Sequence, residues 1–212
     1  MTVSLAITID QPYPALIVAG VKRFETRGNP PAGEMCPPGV RPLPGCRINR
    51  GERIAIHASA RRPAAGMRLG LDHPVTTAEW LVDDSRARLL DLCNEEALPL
   101  PTSAIVATVR VVDALPIIDA EHGWQGDGDT PDRAIIVEAD GSLSWLNGVD
   151  CWGKLCERDI SDQLPYGYWN PGGWAWELDD VEPIASSIPC KGSQGVWRLP
   201  ADTVRQLQEA RP

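Results

Sequence analysis

Residues 10–28 read DQPYPALIVAGVKRFETRG, and the fold turns on how this stretch divides. Asp10 stands where an N-cap side chain accepts the first free backbone N–H groups of a helix. Pro12 suits a first helical turn and Gly20 a left-handed stop. The residues between them are mostly apolar, so the pattern predicts a short helix packed against a sheet. Beyond Gly20 the composition changes at once. VKRFETR predicts an extended segment, with Lys22, Phe24 and Thr26 on one side and Arg23, Glu25 and Arg27 on the other.

Working outward, SLAITID before the helix alternates Leu5, Ile7 and Ile9 with small or polar residues, the signature of a strand. Residues 28–50 hold six prolines and four glycines. No regular element survives that density, so a long loop is expected, of the kind that serves as a lid or stays disordered. GERIAIHASA restores a strand, with Ile54, Ile56 and Ala58 on one face and Arg53, Ala55, His57 and Ser59 on the other. Thr76 and Glu79 have capping-box spacing for a helix that continues through SRARLLDLCNEEA.

AIVATVRVVDALPI, rich in β-branched residues, is a further strand. RAIIVEADGSLSWLN reads as two strands around Asp140-Gly141, and GWAWELDDVEPI and KGSQGVWRLP as two more. ADTVRQLQEA closes as a helix capped by Asp202. Many short strands, few helices and no βαβ rhythm predict an α+β, mostly β fold: a small antiparallel or mixed barrel flanked by short helices.

The bulk numbers limit function. The 212 residues, 43% hydrophobic and 23% charged, suit one domain. No apolar run approaches the ~18 residues that cross a membrane, and the first residues lack a signal-peptide pattern, so a cytoplasmic protein is expected. The six cysteines are too loosely spaced to be diagnostic of zinc, and free thiols are expected; no metal or cofactor is implied. A net charge of −9 excludes a protein that coats nucleic acid by charge alone. The charge is uneven, however: residues 1–70 hold ten Lys/Arg against four Asp/Glu, and residues 71–212 hold ten against twenty-five. A local basic face on an acidic body suits a focused pocket.

The stretch QPYPALIVAGVKRFETR resembles the opening signature of the ASCH family, within the PUA-like superfamily. The signature is met by Gln11, Pro12, Tyr13, Gly20, Lys22, Glu25 and Arg27. IAIHASARR, IVATVRVVDA and WAWELDDVEPI…PCKGSQGVWRLP are similar in the same order. The resemblance implies a single PUA-like domain over residues 1–212, with the Pro/Gly-rich loop at 28–50 and an insertion at about 114–172. It also implies a β-barrel with a cleft beside the first helix that meets RNA or a modified nucleobase. A further implication is the amidohydrolase activity of some relatives, which deacylate acetylcytidine with a lysine, a threonine three residues on and a distant glutamate. Lys22 matches the lysine, but Glu25 stands at the threonine position. Thr26 is then the nearest hydroxyl, and Glu121 stands about where the distant glutamate would fall.

Lys22, Glu25 and Arg27 are accordingly the expected polar wall of the site, against the plainer reading of a solvated ion pair. His57 and Ser59 share a strand face and could line the cleft; a lone histidine could equally be structural. Arg61, Arg62 and Lys191, the last in a glycine-flanked turn, are candidate phosphate contacts. Eight tryptophans stand against one phenylalanine. Trp174 is a candidate for stacking a base, although Trp174 and Trp176 also fit a core face. An RNA or nucleobase partner, an amidohydrolase or nuclease, and a protein-binding module using the 28–50 loop are the three functional classes left open.

Overall fold

Alternating apolar residues form β1 (Leu5–Ile9), with Leu5, Ile7 and Ile9 pointing to one face and Ala6 to the other. The computed structural model describes residues 2–61, 100–121, 133–137, 143–145, 163 and 167–210. After β1 come α1 (Tyr13–Val18), β2 (Phe24–Arg27), β3 (Arg53–Ala58), β4 (Ala104–Glu121), β5 (Arg133–Val137) and β6 (Leu143–Trp145). β7 (Trp174–Pro189), β8 (Val196–Arg198) and the closing helix α2 (Ala201–Glu209) complete the order. The helix expected from Thr76 lies outside the described residues.

The sheet is mixed, with strand path β2-β7-β4-β3-β1-β8 and the β5–β6 hairpin attached to β4. β1 and β3 run parallel, and every other pairing between these strands is antiparallel. β4 and β7 are long, and register shifts in their ladder at Ile105/Ala107, Thr108/Arg110 and Val111/Asp113 let the pair bend. The described fold is therefore mostly β with two short helices, as the strand-rich pattern predicts. The strand path is open, with β2 and β8 at its ends.

Residues 28–50 depart from the lid or disordered loop expected of them. The segment leaves β2 and returns along the free edge of β8. Cys46 N donates to Val196 O at 2.8 Å and Val196 N to Pro44 O at 3.1 Å. An unpaired strand edge is thereby covered. Gly45 makes this possible: its φ is +122°, and a Cβ there would collide with the Val196 carbonyl. The strap also contributes Met35 and Ile48 to the core, where Ile48 is fully buried. Each such side chain stabilises by about 1.5–3 kcal/mol relative to an exposed one. The segment is irregular, as its proline and glycine density predicts, but it is packed.

Three apolar clusters follow from strand alternation. The main one joins Leu5, Ile7 and Ile9 to Ile54, Ile56, Val109, Trp174, Trp176 and Ile17 of α1. A second lies on the reverse of β2 and β7, where Phe24 meets Trp169, Leu115, Ile117 and Ile136. A third backs β1 and β3 with α2, through Ala6, Ala55, Trp197 and Leu207.

Both expected caps are corrected. The N-cap of α1 is Pro12, with no side-chain bond, and Asp10 instead offers its carbonyl to Tyr13 N at 3.2 Å. The N-cap of α2 is Pro200, while Asp202 sits inside the first turn and pairs with Arg205. The stop at Gly20 is as expected, with φ +74°. No helix among the described residues is long and apolar enough to cross a membrane.

Candidate functional site

Gly20 turns the chain so tightly that Val21 N and Lys22 N both donate to Leu16 O, at 3.0 and 3.1 Å. Lys22 thus belongs to the helix exit and precedes β2, so strand alternation does not govern its direction. This corrects the expected sidedness. Lys22 lies with Glu25, its Nζ 3.5 Å from Glu25 Oε2, and not with Thr26. Glu25 Oε1 lies 2.9 Å from Arg27 Nε, and Arg27 Nη2 donates to Thr8 O on β1 at 2.9 Å. The Arg27 Nε–H makes no aligned hydrogen bond, so its contact with Glu25 is chiefly one of charge.

This is not a solvated pair. The Lys22 side chain is 1% exposed and that of Glu25 9%, whereas Arg27 retains 22%. The Lys22 ammonium also lies 5.1 Å from the centre of the Tyr13 ring, within reach of a cation–π attraction. Burial pushes the Lys22 pKa below its ordinary 10.5. The Glu25 carboxylate opposes that fall by charge and hydrogen bonding, and Arg27 adds to it. The result is an amine that gives up its proton more readily than a surface lysine, held between a carboxylate and a guanidinium.

Gln163 holds this lysine in place from 141 positions along the chain. Its Oε1 accepts from Arg23 N at 2.6 Å and its Nε2 donates to Val21 O at 3.0 Å, so one buried amide grips the backbone on both sides of Lys22. Nothing local in the sequence marks Gln163 for that role. Gln11 contributes differently: it is 5% exposed, its Nε2 donates to Pro101 O at 2.7 Å, and its Oε1 has no hydrogen-bond partner among the described residues. Its place in the opening motif was the available signal.

The other expected site residues distribute as follows. Thr26 faces away from Lys22, its Oγ1 accepting from Tyr168 N at 2.8 Å beside Gly167. Trp174 stands opposite Arg27 in the β2–β7 ladder, beside the ion cluster, but it is 7% exposed and belongs to the main core. His57 does not line a wet cleft with Lys22. It lies on the reverse of β3, edge-on to Trp197 at 5.5 Å, with Nε2 2.9 Å from Cys190 O. A carbonyl can only accept, so Nε2 carries the proton and Nδ1 is left as a buried, unpartnered lone pair. Burial lowers the His57 pKa below 6.5, against the opposing pull of the Cys190 carbonyl.

Ser59 is buried and accepts from Arg61 N at 3.0 Å. Arg61 reaches Asp10 at 3.4 Å in the open, and Lys191 is exposed. Arg62 and the side chain of Glu121 lie outside the described residues. Cys36, Cys46 and Cys190 are free thiols, and no His/Cys/Asp/Glu group suited to a metal occurs among the described residues. Comparison with protein-family models gives no match, and comparison with curated proteins gives none of significant similarity.

Proposed function

We propose that this chain is an ASCH-like, PUA-like protein that recognises a nucleobase, in RNA or as a modified nucleoside, at the Lys22–Glu25–Arg27 cluster. The observation that carries the reading is the burial of Lys22 in a charged group that spans α1, β2 and β1. An ammonium donor, a carboxylate acceptor and a guanidinium donor in sequence complement the polar edge of a base. Tyr13 and Trp174 border that row. Arg27 is its most exposed member, so a ligand enters over Arg27 with Lys22 at the back. The barrel belongs to the same proposal: the bent β4–β7 pair and the strap along β8 supply the curvature and edge cover that such a barrel needs.

Contacts of this kind involve few phosphates, so affinity should depend only weakly on salt. Filter binding with modified and unmodified oligonucleotides across a salt series tests the reading. Retention above background with a shallow salt slope is expected; background retention of every oligonucleotide counts against it.

One observation favours a second reading, an amidohydrolase acting on an acylated nucleoside. A buried amine with a lowered pKa is the form in which lysine acts as base or nucleophile. Against this, the hydroxyl nearest to Lys22 in sequence, Thr26, faces the other side of β2. Incubation with acetylcytidine separates the readings. Cytidine release that disappears in Lys22→Met supports the enzyme, and absence of release leaves recognition alone.

A further inference from the structure

We propose that the seam between the strap and strands β1 and β8 is a second ligand site, for a phosphomonoester of sugar-phosphate or nucleotide size. A hollow of about 340 Å³ opens there, walled by Ser4, Cys46, Arg47, Asn49, Glu52 and Arg198. Arg47 comes from the strap, and Arg198 comes from β8 opposite Leu5.

The charge pattern singles out this hollow. Arg27, Arg50, Arg53, Arg61, Arg110 and Arg205 each make an ion pair with a carboxylate. Arg41, Arg47 and Arg198 make none among the described residues, although the chain carries a net charge of −9, and two of these three wall the hollow. Glu52 lines the same hollow, yet its Oε2 accepts from Asn49 N at 2.8 Å and so serves the local turn. Arg47 and Arg198 are both exposed, so their guanidinium groups can turn into the hollow onto one anion. Their planar forks match the oxygens of a phosphate, which can accept from both at once.

The remaining walls define the rest of the ligand. Ser4 and Asn49 offer neutral hydrogen-bonding groups, and the second Glu52 oxygen can accept from a sugar hydroxyl. A carboxylate beside two arginines disfavours a highly charged anion and suits a monoester that carries hydroxyl groups. The volume is at the small end of ligand pockets and holds one sugar-phosphate unit. This site adjoins the start of β1, whereas Arg27 meets Thr8 towards its other end. It therefore stands independently of the nucleobase reading.

The test is thermal unfolding and calorimetric titration with inorganic phosphate, ribose 5-phosphate and adenosine 5′-monophosphate, with ribose and adenosine as uncharged controls. A phosphorylated compound should raise Tm by about 5 °C or more at one hundred times its Kd, and should bind more tightly than inorganic phosphate. Arg47→Ala and Arg198→Ala should each weaken it about tenfold, and the double variant should lose it. Arg41→Ala, an exposed strap arginine that does not wall the hollow, should leave it unchanged. Absence of any phosphate-dependent shift, or a ribose 5-phosphate shift that persists in the double variant, overturns the proposal. Adenosine binding abolished by Lys22→Met but untouched by the arginine variants would belong to the first site alone.

Discussion

Replacing Glu25 by Gln should be far more damaging than replacing Lys22 by Met, although each removes one charge from the same cluster. In Glu25→Gln, Lys22 and Arg27 lose the carboxylate that lies 3.5 Å from one and 2.9 Å from the other. An ammonium with 1% of its side-chain surface exposed is then left beside a second cation. Breaking a buried pair this way costs about 3–5 kcal/mol. In Lys22→Met, Glu25 keeps Arg27, the burial cost of the ammonium disappears, and a side chain of similar length fills the space. The expected change is within about 1 kcal/mol.

The lysine has one escape, which gives the comparison a pH signature. Its folded pKa is already lowered by burial, and loss of Glu25 removes the main opposing influence. Between the folded value and the ordinary 10.5, the unfolded chain binds more protons than the folded one, so stability rises with pH across that window. Glu25→Gln should widen the window downward and recover part of its deficit as pH is raised from 7 to 9.5. Lys22→Met should abolish this component of the slope. Urea unfolding followed by tryptophan fluorescence at both pH values measures all three proteins. Equal destabilisation by the two substitutions, or a Glu25→Gln deficit that is constant with pH, would refute the buried-charge argument.

Gln163→Ala should cost about 2 kcal/mol or more, because two backbone groups flanking Lys22 lose their partner; faster hydrogen exchange at the Arg23 amide identifies the cause. Gly45→Ala should detach the strap from β8, since neither the φ of +122° nor the Val196 carbonyl tolerates a Cβ. Loss of exchange protection at Cys46 N with a lowered Tm is the expected result. His57 is held neutral, so wild-type stability should fall as pH drops below 6.5 towards its lowered folded pKa, by up to about 1.4 kcal/mol per pH unit. A His57→Phe variant should lose that part of the slope.

What was legible in the sequence was what local pattern controls. Period-two alternation marked β1 and β3, the glycine at position 20 marked the turn, and the motif brought Lys22, Glu25 and Arg27 into one group. Alternation failed at Lys22 because the helix exit, through Leu16 O, sets its direction before β2 begins. It also gave no hint that both faces of β3 are covered, which is why His57 packs against Trp197 rather than lining the site. Residues 28–50 form no helix or strand, as proline density predicts, but that density says nothing of packing: Met35 and Ile48 are buried all the same. Gln163 was invisible because its partners, Val21 and Arg23, are chosen by tertiary proximity.

In the proposed function, the buried amine of Lys22 reads a nucleobase. Calorimetric titration of canonical and acylated nucleosides into the wild-type protein and into Lys22→Met addresses it most directly. Saturable binding of at least one nucleoside by the wild type, lost in a variant whose urea midpoint is unchanged, is the predicted result. No nucleoside bound by the wild type, or the same affinity in both proteins, would contradict it.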